Sequence, residues 1–436
     1  MLKLFILFIV ILLISPSEFI TFPIILFITY IYYLSNINMY FCSSITSNLD
    51  FVVYDEVSLF ITFLLFFIIF ISYISAATTF GNYKLLGITL YFLFFFCFIV
   101  FNTCHLFLLY FFYEASLVPI LFIIVKWGSY PERSTRVLMI ISYTLLFGVP
   151  MFIIIISIYL TNNSWLLSFI YFSPLSTLSS ILVFLCFAVK LPIYGLHYWL
   201  PIAHVEAPTF GSVILARVLL KLGGVGLIRL LPILDIVGMK SFILSYLILF
   251  TIYSTLVCCF QSDFKRLIAY SSVSHIIVIP LLILRRNILS IQRIILVILL
   301  HGISSSLIFF SVGLLYRIFS TRQLVLLRGF VLISPLFSLI LVLTFFFTLS
   351  APPFPSYVAE VYFILSTYAL SPYILSMFIP FVFLGLVYNL NWLTRILFNK
   401  RSNVSFEALS IPFSSLFPFI MILIKSLLML SLFFSL

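Results

Sequence analysis

An all-helical integral membrane protein is the fold class the sequence predicts, and three observations carry it. Of the 436 residues, 64% are hydrophobic and 8% charged, against about 25% charged in an ordinary soluble domain. The apolar residues fall in runs long enough to cross a bilayer, which takes roughly 20 residues. The few charges inside those runs gather among prolines, above all in 186–226, CFAVKLPIYGLHYWLPIAHVEAPTFGSVILARVLLKLGGVG.

About fourteen transmembrane helices are expected by that measure of length. In order they are 2–15, 19–35, 57–77, 84–101, 104–125, 134–160, 177–200, 206–231, 239–260, 264–284, 290–316, 328–370, 372–397 and 406–434. The first is short. It reads as an uncleaved helix, because no small-residue cleavage site follows and another apolar run begins at once. Neither is it an Arg- and Ser-rich transit peptide. The segment 36–56, with Asp50, Asp55 and Glu56, reads as a short extramembrane hairpin.

Two spans are interrupted. Pro192 and Pro201 remove backbone donors and disfavour helix just before themselves, so span 7 breaks near Pro192. Span 12 breaks at Ser350-Ala351-Pro352-Pro353 for the same reason. Unpaired backbone at membrane depth is tolerated only inside protein or beside water. The broken spans hold matching places in two five-helix blocks, spans 4–8 and 9–13. Such pairing points to inverted repeats around a midplane ion path. The expected division is therefore 1–80 (helices 1–3 and an outer-side loop), 81–231 (first repeat), 232–400 (second repeat) and 401–436 (helix 14).

Charge and cysteine usage exclude several classes. The net charge of +11 does not mark a nucleic-acid binder, since the 22 basic residues are scattered through short loops. Twelve of them lie in odd-numbered loops and six on the opposite side. That bias places the odd loops inside and both termini outside. The cluster Arg285, Arg286 and Arg293 runs against it. The six cysteines include no CxxC, and no GxGxxG or P-loop occurs, so no metal, iron–sulfur or nucleotide site is expected.

The stretch KLPIYGLHYWLPIAHVEAP followed by LLKLGG resembles the signature of the chain 4 family of mitochondrial NADH:ubiquinone oxidoreductase (complex I). That family is one of the antiporter-like proton-pumping subunits. The resemblance runs from about residue 84 to 397. It departs from the family at three positions. Ile202 stands where a lysine is usual, Arg217 where a small apolar residue is usual, and Ala359 where a glycine is usual.

Ionisable residues inside spans cost roughly 2.5–3.5 kcal/mol each on insertion scales and are functional by default. Glu114 lies mid-span in LFLLYFFYEASLVPIL with no charge near it in sequence. Lys190 precedes Pro192, too deep to reach the interface by snorkelling. Burial favours a neutral amine and a nearby carboxylate favours the ammonium, so a lysine between the two can load and release a proton. The resemblance implies that Glu114 and Lys190 pair, and that Lys221 is the next proton carrier. Gly223, Gly224 and Gly226 beside Lys221 let backbone or water approach.

Arg217 is four residues before Lys221, on the same helical face. Glu206 lies eleven residues before Arg217, about three turns away and on much the same face. Three roles stand open for Arg217: a static charge beside Lys221, a partner of Glu206, or a lipid contact. For His197, His204 and Glu206 a hydrogen-bonded turn is as good a reading as function. His275 follows LIAYSSVS. His301 begins HGISSSLIF, with Ser304 and Ser305 on its face. Histidine with hydroxyls can hold a water wire, although a lone histidine is often a satisfied core residue. The resemblance places both on a horizontal proton path, and Glu360, a charge in the second half of broken span 12, is the expected terminal proton-exchange site. Glu132, Arg133, Asp263 and Lys265 match family motifs in loops, where structural roles are expected.

The resemblance implies proton translocation within complex I in the mitochondrial inner membrane. It places both termini on the intermembrane-space side, neighbouring antiporter-like and other membrane-arm subunits as partners, and no cofactor on this chain. FMN, iron–sulfur clusters and quinone are expected on partner subunits. Two alternatives stand beside it: a Na⁺/H⁺ antiporter subunit of the related bacterial type, and a passive scaffold whose charges are fixed ion pairs.

Overall fold

The computed structural model describes residues 18–41, 55–77, 83–128, 131–170, 175–193, 195–235, 240–283, 288–352, 354–368, 372–398 and 422. The expected spans 2–15 and 406–434, and most of 36–56, lie outside the described residues. Among those described, the chain is helix joined by turns. The strand-like pairings there are the isolated bridges His105–Leu166 and Asp263–Gln323.

The helices in chain order are α1 (Glu18–Phe41), α2 (Glu56–Ala77), α3 (Tyr83–Asn102), α4 (Leu106–Ala115), α5 (Leu117–Trp127), α6 (Arg133–Asn162), α7 (Leu167–Ile170) and α8 (Thr177–Lys190). Then come α9 (Trp199–Glu206), α10 (Thr209–Ile214), a π-helical segment Leu215–Leu219 and α11 (Leu220–Leu230). The remainder are α12 (Lys240–Cys259), α13 (Phe264–Ile276), α14 (Val278–Ile283), α15 (Ile288–Phe319), α16 (Phe330–Ile333), α17 (Pro335–Thr348), α18 (Pro355–Tyr368) and α19 (Pro372–Phe398). Among the described residues, eight helices are long and apolar enough to cross a membrane.

Both expected interruptions are present. Span 7 ends as α8 at Lys190 and resumes as α9 at Trp199; span 12 ends as α17 at Thr348 and resumes as α18 at Pro355. Two further breaks have the same cause. Pro119 cannot donate to the carbonyl four residues back, and the helix turns at Ser116 between α4 and α5. Pro280 does the same to the turn at Ile277 between α13 and α14.

The chain packs into two compact units, one of residues 1–190 and 221–236, the other of 191–220 and 237–436. In the first unit, α2 packs on α3, α3 on α4, and α6 on α8. Its outer face is apolar: Leu138, Leu145, Leu146, Val149, Ile153 and Leu160 of α6 are all exposed. Such a face suits lipid, where a soluble protein would carry polar groups. In the second unit, α12 packs on α13 and α19, while α15 packs on α13, α14, α17 and α18. The N-terminus of α13 is capped by Asp263, whose carboxylate accepts from the Lys265 and Arg266 amides.

Candidate functional site

In the first unit, α4 and α8 bring Glu114 and Lys190 into one neighbourhood. Lys190 is 2% exposed. Its Nζ donates to the Tyr113 carbonyl at 2.6 Å and lies 3.1 Å from the centre of the Tyr113 ring. The same carbonyl accepts the Ser116 hydroxyl at 2.7 Å. A backbone dipole and a ring face therefore stabilise the ammonium. Glu114 is the next residue in the chain, half-buried and within electrostatic reach of Lys190. The lysine reaches the Tyr113 backbone and ring rather than the carboxylate, so the two groups are coupled through space, without a direct ion pair. Gly148 of α6 leaves room for the acid: a Cβ there would stand 3.2 Å from Glu114 Oε1.

Lys221 is fully buried near the start of α11. Gly226, one and a half turns on, serves close packing rather than water. A Cβ at Gly226 would collide with the Phe187 ring, which itself packs edge-on against Tyr113 at 5.1 Å between centroids. The C-terminal end of α11 is tied down by an ion pair that sequence reasoning missed. Arg229 Nη1 and Nη2 donate to the two Asp55 carboxylate oxygens at 2.6 and 3.0 Å, and Nη2 also to the Phe101 carbonyl at 3.2 Å. In the sequence, Arg229 falls at the end of span 206–231 and Asp55 in the expected hairpin. Their separation of 174 positions left no local signal.

In the second unit, α13, α15 and α18 bring His275, His301 and Glu360 to one cavity of about 80 Å³. A single water needs about 10–15 Å³, so several fit. The His275 and His301 ring centroids are 6.2 Å apart. Ser304 and Ser305 line the same cavity, as their spacing from His301 predicts. Ser350, in the break of span 12, takes a left-handed conformation with φ 53°. Its hydroxyl donates to Glu360 Oε1 at 2.6 Å. Glu114 and His275 also share a local register: each stands two residues before a helix turn and five before the proline that causes it.

The shared face of Glu206 and Arg217 is corrected by the structure. Glu206 ends α9 rather than opening the next helix, and the chain turns at Ala207–Pro208. Arg217 sits in the π-helical segment, where the wider turn shifts every later residue around the axis. An eleven-residue spacing therefore no longer means one face. Arg217 is 1% exposed; its Nη2 donates to the Ile303 carbonyl at 3.0 Å, and its Nε has no hydrogen-bond partner among the described residues.

The α9 turn is held by cations. Lys265 Nζ donates to the Ala207 carbonyl at 2.5 Å, and Arg322 Nη1 to the Val205 carbonyl at 3.0 Å. Glu206 is buried within electrostatic reach of Lys265. His204 is fully buried and stacked on Phe309 at 4.7 Å, with neither ring nitrogen hydrogen-bonded among the described residues. A hydrogen-bonded turn therefore fits Val205 and Ala207, and does not fit His204.

Known proteins bear on this arrangement. A family model described as NADH:quinone oxidoreductase/Mrp antiporter, TM, matches residues 103–386, a range that holds every candidate residue from Glu114 to Glu360. NADH-ubiquinone oxidoreductase chain 4 of Chondrus crispus is 32% identical over 357 residues, 79% of this chain and 72% of that one. Its counterpart in Arbacia lixula is 40% identical over 249 residues, 55% of this chain and 54% of that one. A chain of respiratory complex I from Thermus thermophilus shares the fold, with a TM-score of 0.83 at 20% identity over 98% of this chain and 93% of that one. A chain of an archaeal membrane-bound sulfane sulfur reductase shares it equally, with a TM-score of 0.83 at 16% identity. This multi-pass membrane chain belongs to the NADH:quinone oxidoreductase/Mrp antiporter transmembrane family.

Proposed function

We propose that the chain is a membrane-arm subunit of mitochondrial NADH:ubiquinone oxidoreductase that translocates protons while electron transfer runs on other subunits. The observation that carries this reading is the cavity in which His275, His301, Ser350 and Glu360 meet. Titratable groups and hydroxyls around a water-sized space are what a Grotthuss-type relay needs. In this reading the chain holds no redox cofactor, both termini face the intermembrane space, and its neighbours are other membrane-arm subunits.

The first unit supplies the coupling element. Lys190 is held by a carbonyl and a ring, neither of which changes charge. Its proton balance then follows the charge of nearby Glu114. Two unit charges farther apart than about 4 Å interact by less than about 4 kcal/mol at an effective dielectric of 20. Moving one charge against 100 mV costs about 2.3 kcal/mol. Neutralising Glu114 therefore biases Lys190 toward releasing its proton. Lys221, Glu360 and the histidines pass protons on. Arg217 stays charged and acts as a static cation.

The relatives named NADH-ubiquinone oxidoreductase chain 4 favour this reading over a Na⁺/H⁺ antiporter. The test is proton release by Glu360→Gln membranes during NADH oxidation, with and without sodium. Lost pumping with intact assembly, independent of sodium, supports the proposal. Sodium-dependent transport without NADH favours the antiporter, and unchanged pumping favours a scaffold.

A further inference from the structure

The Glu360 cavity does not end at Glu360. A smaller space of about 30 Å³ adjoins it, lined by His275, Glu360, Tyr388 and Asn389. A third, of about 10 Å³, is lined by Tyr388, Asn391 and Arg395 together with Cys258 and Cys259. Tyr388 borders all three spaces. The third lies at helix ends: Cys259 closes α12, and Arg395 is in the last turn of α19. Tyr388 is ten residues from the end of α19 at Phe398, about 15 Å by helix rise.

Two polar side chains between the large cavity and the helix ends are buried. Tyr388 is 3% and Asn389 4% exposed. Trp392 Nε1 donates to Asn389 Oδ1 at 3.0 Å. That bond uses one lone pair of the amide oxygen, so the NH₂ and the second lone pair are what Asn389 can offer the cavity. A tyrosine hydroxyl and an amide beside water-sized spaces give water the two to four polar partners it needs.

We propose that Tyr388 and Asn389 carry a water path joining Glu360 to the aqueous side that bears Arg395, so that Glu360 exchanges protons with that side. This rests on Glu360 being a proton-exchange site, and it names the side with which that site communicates. Tyr388 and Asn389 are positioning residues for the water.

The test is side-specific labelling in the assembled complex. Asn389→Cys is placed in membrane vesicles of each orientation and exposed to a cationic, membrane-impermeant methanethiosulfonate. Peptide-resolved mass spectrometry separates it from native cysteines. Tyr388→Cys serves as a second position. The cysteine thiolate attacks the reagent's sulfur and expels methanesulfinate, and forming that thiolate needs water. Modification should be on the order of tenfold faster from the Arg395 side than from the other, and faster than at Val387→Cys on the exposed face of the same helix. No modification at either position from the Arg395 side, or modification from the opposite side only, overturns the path. The Glu360→Gln pumping assay separates the two claims. Lost pumping with unlabelled cysteines defeats the path alone, and normal pumping with labelled ones defeats the proton-exchange reading alone.

Discussion

The Ser350 hydroxyl donates to Glu360 Oε1 at 2.6 Å across the gap between α17 and α18. The donor is a residue held at φ 53°, where an L side chain is disfavoured by roughly 1–2 kcal/mol. The break in span 12 thus does two things: it frees backbone, and it turns a serine back onto the acid. Ser350→Gly separates them, because glycine keeps the backbone shape without strain and removes the hydroxyl. The expected outcome is normal assembly on native gels with proton pumping reduced several-fold. Pumping at the wild-type level would show that the hydroxyl does not serve Glu360.

Tyr113 offers Lys190 both a carbonyl and a ring. Tyr113→Phe keeps both and loses the hydroxyl's 3.3 Å bond to the Cys186 carbonyl, at a cost of about 1 kcal/mol in stability. Pumping per NADH should stay within about twofold of wild type. Tyr113→Leu removes the ring, and a desolvated cation–π contact is worth about 2 kcal/mol. Pumping should fall on the order of tenfold while assembly persists. Equal pumping by the two variants would remove the ring from the account.

Gly226→Ala places a methyl group against the Phe187 ring. Overpacking of this kind costs typically 1–3 kcal/mol, so less assembled complex should be recovered. Adding Phe187→Leu should restore recovery in part, measured as complex abundance on native gels. Full recovery in Gly226→Ala alone would mean that α8 and α11 can separate freely there.

The Arg229–Asp55 pair is bidentate and only partly exposed, with side-chain exposures of 10% and 35%. Breaking it by Asp55→Asn should lower stability by about 1–2 kcal/mol. Arg229→Gln should do the same, and combining the two should add little, since each removes the same interaction. Thermal assembly loss of the three variants checks this; a double variant whose loss equals the sum of the singles would refute the pairing.

Proline made much of the fold legible. Pro192 and the Ser350–Pro353 run marked the broken spans, and apolar run length marked the intact ones. Pro119 and Pro280 were equally visible in sequence, and their effect on the register of Glu114 and His275 could have been read from EASLVP and HIIVIP. His301 and its serines were legible because helical spacing alone puts them on one side. The π-helical segment around Arg217 was not legible: one extra residue per turn changes no composition, yet it moves Arg217 off the face inferred for it. The partners of Lys190 and Arg217 were hidden for another reason. Both donate to backbone carbonyls, of Tyr113 and Ile303, and every residue has a carbonyl, so no side-chain pattern announces them.

The central claim is that buried charges of this chain move protons during NADH oxidation. Proton release per NADH by membranes carrying Glu114→Gln or Lys221→Ala, with assembly verified on native gels, tests it most directly. The account predicts assembled complexes whose pumping ratio collapses in both. Assembled complexes that pump at the wild-type ratio would contradict it and make these charges structural.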